Sequence, residues 1–158
     1  MQTIDETVGL LMRLIKVVIV DDKHVMRKVI RALLMSIGVE KIFEAGDGIS
    51  GLDTVRTVVP QLVLLDWDMP GMSGREFVKK VRSPETFPLP NVPIVILTGH
   101  CEKSCVVDAE RLGVNEYLVK PVSGEQLLSC ILSVVAKPRP FVRIGDYYGP
   151  ESREAALG

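Results

Sequence analysis

Short, wholly apolar runs alternate with amphipathic runs along this chain, and the alternation constrains the fold more than any other feature. Five runs have the length and composition of buried strands: 14–20, 41–45, 62–66, 94–98 and 116–119. Five others have the periodicity of amphipathic helices: 23–37, 48–59, 74–82, 102–112 and 124–136. Strands that alternate with helices form a parallel sheet with right-handed crossovers and helices on both faces. The sequence therefore predicts a doubly wound α/β domain with a five-stranded parallel sheet.

The first predicted helix, 23–37, has a broad apolar stripe on one side. The residues of this stripe are spaced three and four apart, and they are Val25, Met26, Val29, Ile30, Leu33, Leu34 and Ile37. Four basic residues of the same run are expected to face away from the core: Lys23, Arg27, Lys28 and Arg31. The pattern predicts that the whole stripe packs against the sheet.

The two ends of the chain lie outside the alternating pattern. We interpret residues 1–13 as an N-terminal extension, 14–137 as the main domain and 138–158 as a C-terminal tail. Residues 4–13 are expected to form an extra helix. The tail contains Phe141, Tyr147 and Tyr148, and these aromatic residues favour docking on the body of the protein. Both ends are candidates for a homodimer interface.

Composition limits the classes of partner. The net charge is −1, from 19 basic and 20 acidic residues, which gives no basic surface for nucleic acid or an anionic membrane. No apolar run approaches the length of about 20 residues that a membrane helix needs. Three cysteines make no disulfide framework. We expect a cytoplasmic protein without nucleic-acid or membrane partners.

Polar residues follow four of the predicted strands at the points where the strands end. Asp21 and Asp22 follow the first strand, Asp66 ends the third, Thr98 ends the fourth and Lys120 follows the fifth. Carboxyl ends of parallel strands meet at one edge of the sheet, where ligands bind in open α/β folds. We therefore expect three carboxylates, a hydroxyl and an ammonium group to converge.

Such a cluster would carry about three negative charges against one positive charge, and repulsion would raise the pKa of at least one acid. A divalent cation removes this repulsion. Oxygen ligands, few in number and in a partly open site, favour Mg²⁺, which keeps several waters and accepts a phosphoryl oxygen. A carboxylate is also a competent nucleophile toward phosphorus. The cluster thus indicates Mg²⁺-assisted phosphoryl chemistry.

Five stretches of the chain together resemble the receiver domain of two-component response regulators. They are VIVDD (18–22), EAGDGISGLD (44–53), LVLLDWDMPGMSG (62–74), PIVILTG (93–99) and YLVKP (117–121). The resemblance covers residues 14 to about 137, and DWDMPGMSG is close to the single-domain receivers of chemotaxis. It implies a flavodoxin-like (βα)5 fold with strand order 2-1-3-4-5.

The resemblance also implies a role for each site residue. Asp66 would be the phosphoacceptor, with a histidine kinase or phosphotransfer protein as donor. Mg²⁺ would be held by Asp21, Asp22, Asp66 and the backbone carbonyl of Asp68. Lys120 and Thr98 would contact phosphoryl oxygens, and Tyr117 would be the switch aromatic. The Lys120-Pro121 bond is expected to be cis.

This interpretation makes the protein a stand-alone receiver rather than an enzyme with an external substrate. Its phosphorylation would reshape a face built from the helix at 102–112, the strand at 116–119 and the helix at 124–136. An unidentified downstream protein would bind there.

Two other functions match parts of the sequence. GDGISG (46–51) fits the G-x-G-x-x-G fingerprint of dinucleotide binding, and Asp66 follows Gly46 by twenty residues. Yet a second nucleotide-binding half is missing. Asp66-x-Asp68 with a later Thr and Lys is similar to the aspartyl-phosphate phosphatases of the haloacid dehalogenase type. In those enzymes a further acidic motif follows the lysine, and this chain has none before its tail.

Overall fold

The computed structural model describes residues 2–99 and 103–152, with side chains from residue 6 onward. Seven strands are present in this part of the chain: β1 (Lys16–Val20), β2 (Lys41–Ala45), β3 (Leu62–Asp66), β4 (Ile94–Thr98), β5 (Glu116–Val119), β6 (Phe141–Ile144) and β7 (Tyr147–Pro150). The helices are α1 (Gln2–Leu14), α2 (His24–Ser36), α3 (Gly48–Val58), α4 (Gly74–Val81), α5 (Lys103–Arg111) and α6 (Gly124–Ile131).

Strands β1 to β5 form one parallel sheet in the order β2-β1-β3-β4-β5, which confirms the predicted fold class and strand order. The first strand begins at Lys16 rather than at residue 14, because Leu14 completes α1 and its side chain is 57% exposed. The extra N-terminal helix expected at 4–13 is therefore present and slightly longer. The first residue of the predicted helix 102–112 and the tail residues 153–158 lie outside the described residues.

The central strands are buried on both faces, so alternate residues supply two cores. Val18 and Leu65 pack into the core on one face, together with residues of α3 and α4. Ile19 and Leu64 pack into the core on the other face, together with residues of α1, α2 and α6. Side chains of a strand alternate between faces, so an uninterrupted apolar run fills both cores.

The stripe on α2 is narrower than predicted. Ile30 and Leu34 are buried against the sheet, whereas Val25 and Val29 are 73% and 47% exposed. The prediction that Arg27 faces away from the body was also wrong. Arg27 turns toward β2 and pairs with Glu44 there. The side of α2 that carries Val25 and Val29 lies in solvent.

The run predicted as one helix over 124–136 has two parts. Residues Gly124–Ile131 are α-helical, and Leu132–Ala136 continue as a π-helical turn. Ser123 begins α6 with a reciprocal capping box, in which its side chain accepts from the Gln126 backbone and Gln126 accepts from the Ser123 N–H. None of the helices in the described part of the chain is both long and apolar enough to cross a membrane.

The described part of the tail docks on the body as an antiparallel hairpin of β6 and β7. Arg82, only 6% exposed, lies at the centre of this contact, and its guanidinium lies 4.8 Å from the ring centroid of Phe141. It donates to the carbonyl oxygens of Pro90, Val92 and Gly113 and to the Asn115 side chain. Burial lowers the pKa of Arg82 to about 9, so the group is cationic at neutral pH.

Arg139 and two glycines complete the contact. Arg139 donates to the carbonyl oxygens of Glu151 at 2.8 Å and Asn115 at 3.0 Å. At Gly113, φ is +97°, and a Cβ atom there would lie 2.6 Å from the carbonyl oxygen of Tyr148. A Cβ on Gly149 would lie 2.6 Å from the Cα of Gly113. The two backbones meet at a distance that only glycine allows.

We predict that Gly113→Ala destabilises the protein more than Gly145→Ala does. Both residues have positive φ, so each substitution should cost about 1–2 kcal/mol of left-handed backbone strain. Only Gly113 faces the hairpin backbone, since a Cβ at Gly145 meets nothing within 4 Å. Crowding should add about 1–3 kcal/mol to the loss at Gly113. Urea unfolding would measure both, and equal losses would contradict the close hairpin contact.

Candidate functional site

Three aspartates meet at the carboxyl edge of the sheet, as predicted. Asp21 and Asp66 are 1% and 3% exposed, and Asp22 is partly exposed. Each offers a carboxylate oxygen, and these oxygens all lie within 4.8 Å of one another. The register of the sheet explains the meeting, since the last residue of β1, Val20, is paired with Leu65, directly before Asp66.

Lys120 reaches the same cluster from the end of β5. Its Nζ lies 3.2 Å from Oδ2 of Asp21 and 3.5 Å from Oδ1 of Asp66, and its side chain is only 14% exposed. Its backbone N–H donates to the carbonyl oxygen of Thr98 at 2.7 Å, and its bond to Pro121 is cis as expected. The structure thus brings Asp21, Asp22, Asp66 and Lys120 together.

A second lysine, Lys23, also contacts the cluster. Its side chain is 59% exposed, in agreement with the prediction that it faces away from the core, but its contact with the acids was not predicted. Its Nζ lies 3.6 Å from Oδ1 of Asp22 and 3.7 Å from Oδ2 of Asp66. Attraction to Asp66 raises the pKa of Lys23. The residue precedes α2 with extended backbone, so helical periodicity does not set its direction. Its position directly after the acid pair was the available signal.

Arginines from α2 fix the backbone of the acid pair. Arg27 donates to the carbonyl oxygen of Asp21 at 2.7 Å and to Glu44 at 3.1 Å. Arg31 donates to the other carboxylate oxygen of Glu44 at 2.7 Å. Burial acts to raise the pKa of Glu44, but hydrogen bonds from Arg31 and Arg27 outweigh it and lower the pKa overall. Glu44 is therefore an ionised anchor that holds Arg27 against the site.

The electrostatic environment of Asp66 favours a bound cation. Burial raises the pKa of Asp66, Lys120 opposes the rise, and Asp21 adds to it. Two buried oxygens, Oδ1 of Asp22 and Oδ2 of Asp66, have no hydrogen-bond partner among the described residues. Buried carboxylate oxygens of this kind need a partner. The all-oxygen donor set and these two atoms fit a small, hard divalent cation.

The other predicted residues lie around this centre. Thr98 is fully buried at the end of β4, and Tyr117, paired with Ile96, is half-buried on β5. The side chain of Asp68 is exposed in the loop after β3. That loop folds back tightly, since a Cβ on Gly74 would lie 2.8 Å from the carbonyl oxygen of Asp66.

The glycines of the GDGISG stretch have a packing explanation. A Cβ on Gly48 would lie 2.7 Å from Sδ of Met72, and one on Gly51 would lie 2.9 Å from Cγ1 of Val20. Both glycines let α3 pack closely on the body. Asp66 belongs to the acid cluster, so the fingerprint does not act here as a dinucleotide site.

We predict that Asp66→Asn stabilises the protein at neutral pH in the absence of divalent cations. Because burial raises the folded-state pKa of Asp66, its ionisation destabilises the fold above that pKa. A neutral isostere removes the cost. A gain of about 1 kcal/mol would raise the melting temperature by about 2–4 °C in a domain of this size. Asp53→Asn, at an exposed side chain paired with Arg56, is the control without a gain.

The same variant should lose its advantage in acid. Below the unfolded-state pKa, Asp66 is protonated in the folded and unfolded wild type alike, so the substitution has no charge left to remove. Thermal melts across the acidic range would follow this convergence. A stability difference independent of pH would contradict the assignment of the effect to the Asp66 charge.

Comparisons with known proteins agree with this geometry. A family model described as the response regulator receiver domain matches residues 17–132. The chain is 37% identical over 113 residues to chemotaxis protein CheY1 of Helicobacter pylori, across 71% of this chain and 90% of that protein. It is 34% identical over 112 residues to chemotaxis protein CheY-3 of Vibrio cholerae, across 71% of this chain and 85% of that protein.

A solved structure gives the same result. Chemotaxis protein CheY4 of Vibrio cholerae superposes with a TM-score of 0.68 at 30% identity, and the match covers 76% of this chain and 98% of that one. The region matched by the family model spans the parallel sheet from the second residue of β1 onward and includes the three aspartates. The chain therefore belongs to the response regulator receiver domain family and is a chemotaxis-type receiver of two-component signalling.

Proposed function

We propose that this protein accepts a phosphoryl group on Asp66 from a histidine kinase or phosphotransfer protein, in a Mg²⁺-dependent step, and thereby switches a protein-binding surface. The observation that carries the proposal is the meeting of Asp21, Asp22 and Asp66 within 4.8 Å, with Lys120 against two of them. In this proposal residues 14–137 form the receiver unit, flanked by the extension 1–13 and the tail 138–158.

The chemistry at Asp66 is an in-line displacement at phosphorus. A carboxylate oxygen of Asp66 forms the new O–P bond as the P–N bond of a phosphohistidine donor breaks, and the departing imidazole keeps the electron pair and takes up a proton. The nucleophile must be ionised, and Lys120 at 3.5 Å supports the ionised form. Asp66 ends a fully buried strand, which fixes its position for attack.

The acid cluster fits Mg²⁺. Asp21, Asp22, Asp66 and the backbone carbonyl of Asp68 would hold the ion, which supplies positive charge against the phosphoryl oxygens when bound. The two buried oxygens without hydrogen-bond partners, on Asp22 and Asp66, support this ligand set. Arg27 keeps the backbone of Asp21 in place for the task through its bond to the Asp21 carbonyl.

Lys120 and Thr98 would receive the phosphoryl group after transfer. Lys120 would neutralise one of its oxygens as a point charge, and the buried hydroxyl of Thr98 would donate a hydrogen bond. The backbone bond from Lys120 to Thr98 couples these two residues. A movement of Thr98 toward the phosphoryl group would thus be transmitted to the end of β5 through this hydrogen bond.

The surface that responds would be the face of α5, β5 and α6, with Tyr117 as its switch residue. A groove of about 510 Å³ runs beside Tyr117, between Glu110 of α5 and Arg139 at the base of the hairpin. Turning Tyr117 inward would change the shape of this groove. Phosphorylation would shift the population between the two packings by its differential contacts. A downstream protein would bind the form that the phosphoryl group favours.

We predict that Asp66→Asn abolishes phosphate incorporation from acetyl phosphate. The amide is not a nucleophile toward phosphorus, so the mass of the variant should not increase after incubation with acetyl phosphate and Mg²⁺. Intact-protein mass spectrometry measures the increase directly. Asp68→Asn is the matched control, because only the backbone of Asp68 has a proposed role, and this variant should still gain one phosphoryl group.

Two outcomes would contradict this assignment. Equal incorporation by Asp66→Asn and the wild type would place the acceptor elsewhere. Steady turnover of a phosphomonoester would favour an aspartyl-phosphate phosphatase instead.

We also predict that Mg²⁺ changes the fluorescence of Trp67, the one tryptophan in the sequence, which adjoins Asp66. Asp22→Asn removes a proposed ligand and should weaken Mg²⁺ binding by about tenfold or more. Asp53→Asn changes the net charge equally at a remote exposed position and should bind as the wild type does. Fluorescence titration gives all three affinities. Equal weakening by both variants would indicate a general charge effect rather than a ligand at residue 22.

A further inference from the structure

Lys23 contacts two of the aspartates at the site and has no role in the proposed phosphoryl transfer. Its ammonium group lies between Asp22 and Asp66, at 3.6 and 3.7 Å from one carboxylate oxygen of each. We propose that Lys23 is a tethered counter-ion that competes with the divalent cation for these two carboxylates. The inference rests on the proposed function, because it concerns the same Mg²⁺ site.

The ammonium group of Lys23 faces oxygens that a divalent cation would also need. Lys23 faces Oδ1 of Asp22 and Oδ2 of Asp66, and these are the two buried side-chain oxygens without a hydrogen-bond partner in the described part of the chain. The separations are too long for hydrogen bonds, so the ammonium compensates charge without satisfying the oxygens. These same atoms belong to the set that would ligate the cation. The ammonium group of Lys23 therefore lies beside the same oxygens that the divalent cation would bind.

The two lysines at the site contact different carboxylate oxygens and differ in exposure. Lys120 contacts Asp21 and the opposite oxygen of Asp66, and its side chain is 14% exposed. Lys23 contacts Asp22 and the remaining oxygen, and its side chain is 59% exposed. Lys120 is thus a largely buried part of the site. Lys23 closes the solvent side and balances the charge that Lys120 leaves uncompensated.

The Lys23 side chain can move away from the carboxylates at a low cost in free energy. Most of its side chain is in solvent, and its backbone precedes α2 in an extended conformation with no side-chain capping bond. A lysine side chain has four flexible carbons, and an exposed ion pair contributes only about 0–1 kcal/mol. A divalent cation carries twice the charge and forms direct ligand bonds. The cation would displace the ammonium group into solvent.

Competition of this kind has two measurable consequences. Removing the Lys23 charge should tighten Mg²⁺ binding, since the cation no longer displaces or repels an ammonium group. Removing it should also destabilise the protein without divalent cations, because Lys120 contacts Asp21 and Asp66, and Asp22 would lose its contact with Lys23. The two effects have opposite signs, and a residue that only stabilises the fold would not produce both.

The experiment compares Lys23→Gln with the wild type in a Trp67 fluorescence titration with Mg²⁺. We expect Lys23→Gln to bind Mg²⁺ about fivefold more tightly at low ionic strength. Lys28→Gln, at an exposed lysine of α2, makes the same change in net charge and should bind as the wild type does. Lys23→Arg keeps the charge and should restore an affinity close to that of the wild type.

Thermal melts with and without Mg²⁺ supply the second measurement. Without divalent cations, Lys23→Gln should melt about 1–3 °C below the wild type. In saturating Mg²⁺ the deficit should disappear or reverse. Lys28→Gln should show no change that depends on Mg²⁺.

The outcomes separate this inference from the proposed function. If the wild type responds to Mg²⁺ and Lys23→Gln has the same affinity, the counter-ion role is wrong and the Mg²⁺ site stands. Weaker binding by Lys23→Gln would also overturn it. If neither protein responds to Mg²⁺ and neither incorporates phosphate, both the proposed function and this inference are wrong.

Discussion

Repulsion among three carboxylates at one edge of the sheet is the constraint on which the rest of this structure depends. Asp21 and Asp66 are almost fully buried, so water cannot screen their charges. The ammonium group of Lys120 offsets part of this repulsion, because it contacts both acids from the end of β5. The parallel sheet makes this arrangement available, because it ends every strand at the same edge.

The acid cluster and the sheet could be predicted because both follow from simple patterns. Apolar runs mark strands buried on two faces, and the residues after such strands share an edge. Lys23 could not be placed in this way. Periodicity counts it as the first residue of a helix, whereas it lies before α2 with extended backbone. Periodicity also placed Val25 and Val29 in the apolar stripe, but both are exposed, while Arg27 of the same helix pairs with Glu44 of β2.

The docking of the tail depends on contacts that leave little trace in a sequence. The aromatic residues of the tail predicted that it packs on the body, but they did not identify the residue of the body that it contacts. Arg82 provides that partner, yet three of its acceptors are backbone carbonyls, at Pro90, Val92 and Gly113. Every residue has a backbone carbonyl, so the pattern of side chains in the sequence does not predict this contact.

The hairpin has a consequence for recognition. It lies beyond the matched receiver region, and Arg139 at its base forms one wall of the groove beside Tyr117. A downstream protein that bound this face, as proposed, would therefore meet a bounded groove instead of an open surface. In the proposed function the tail would thus restrict the shape of the partners that can bind.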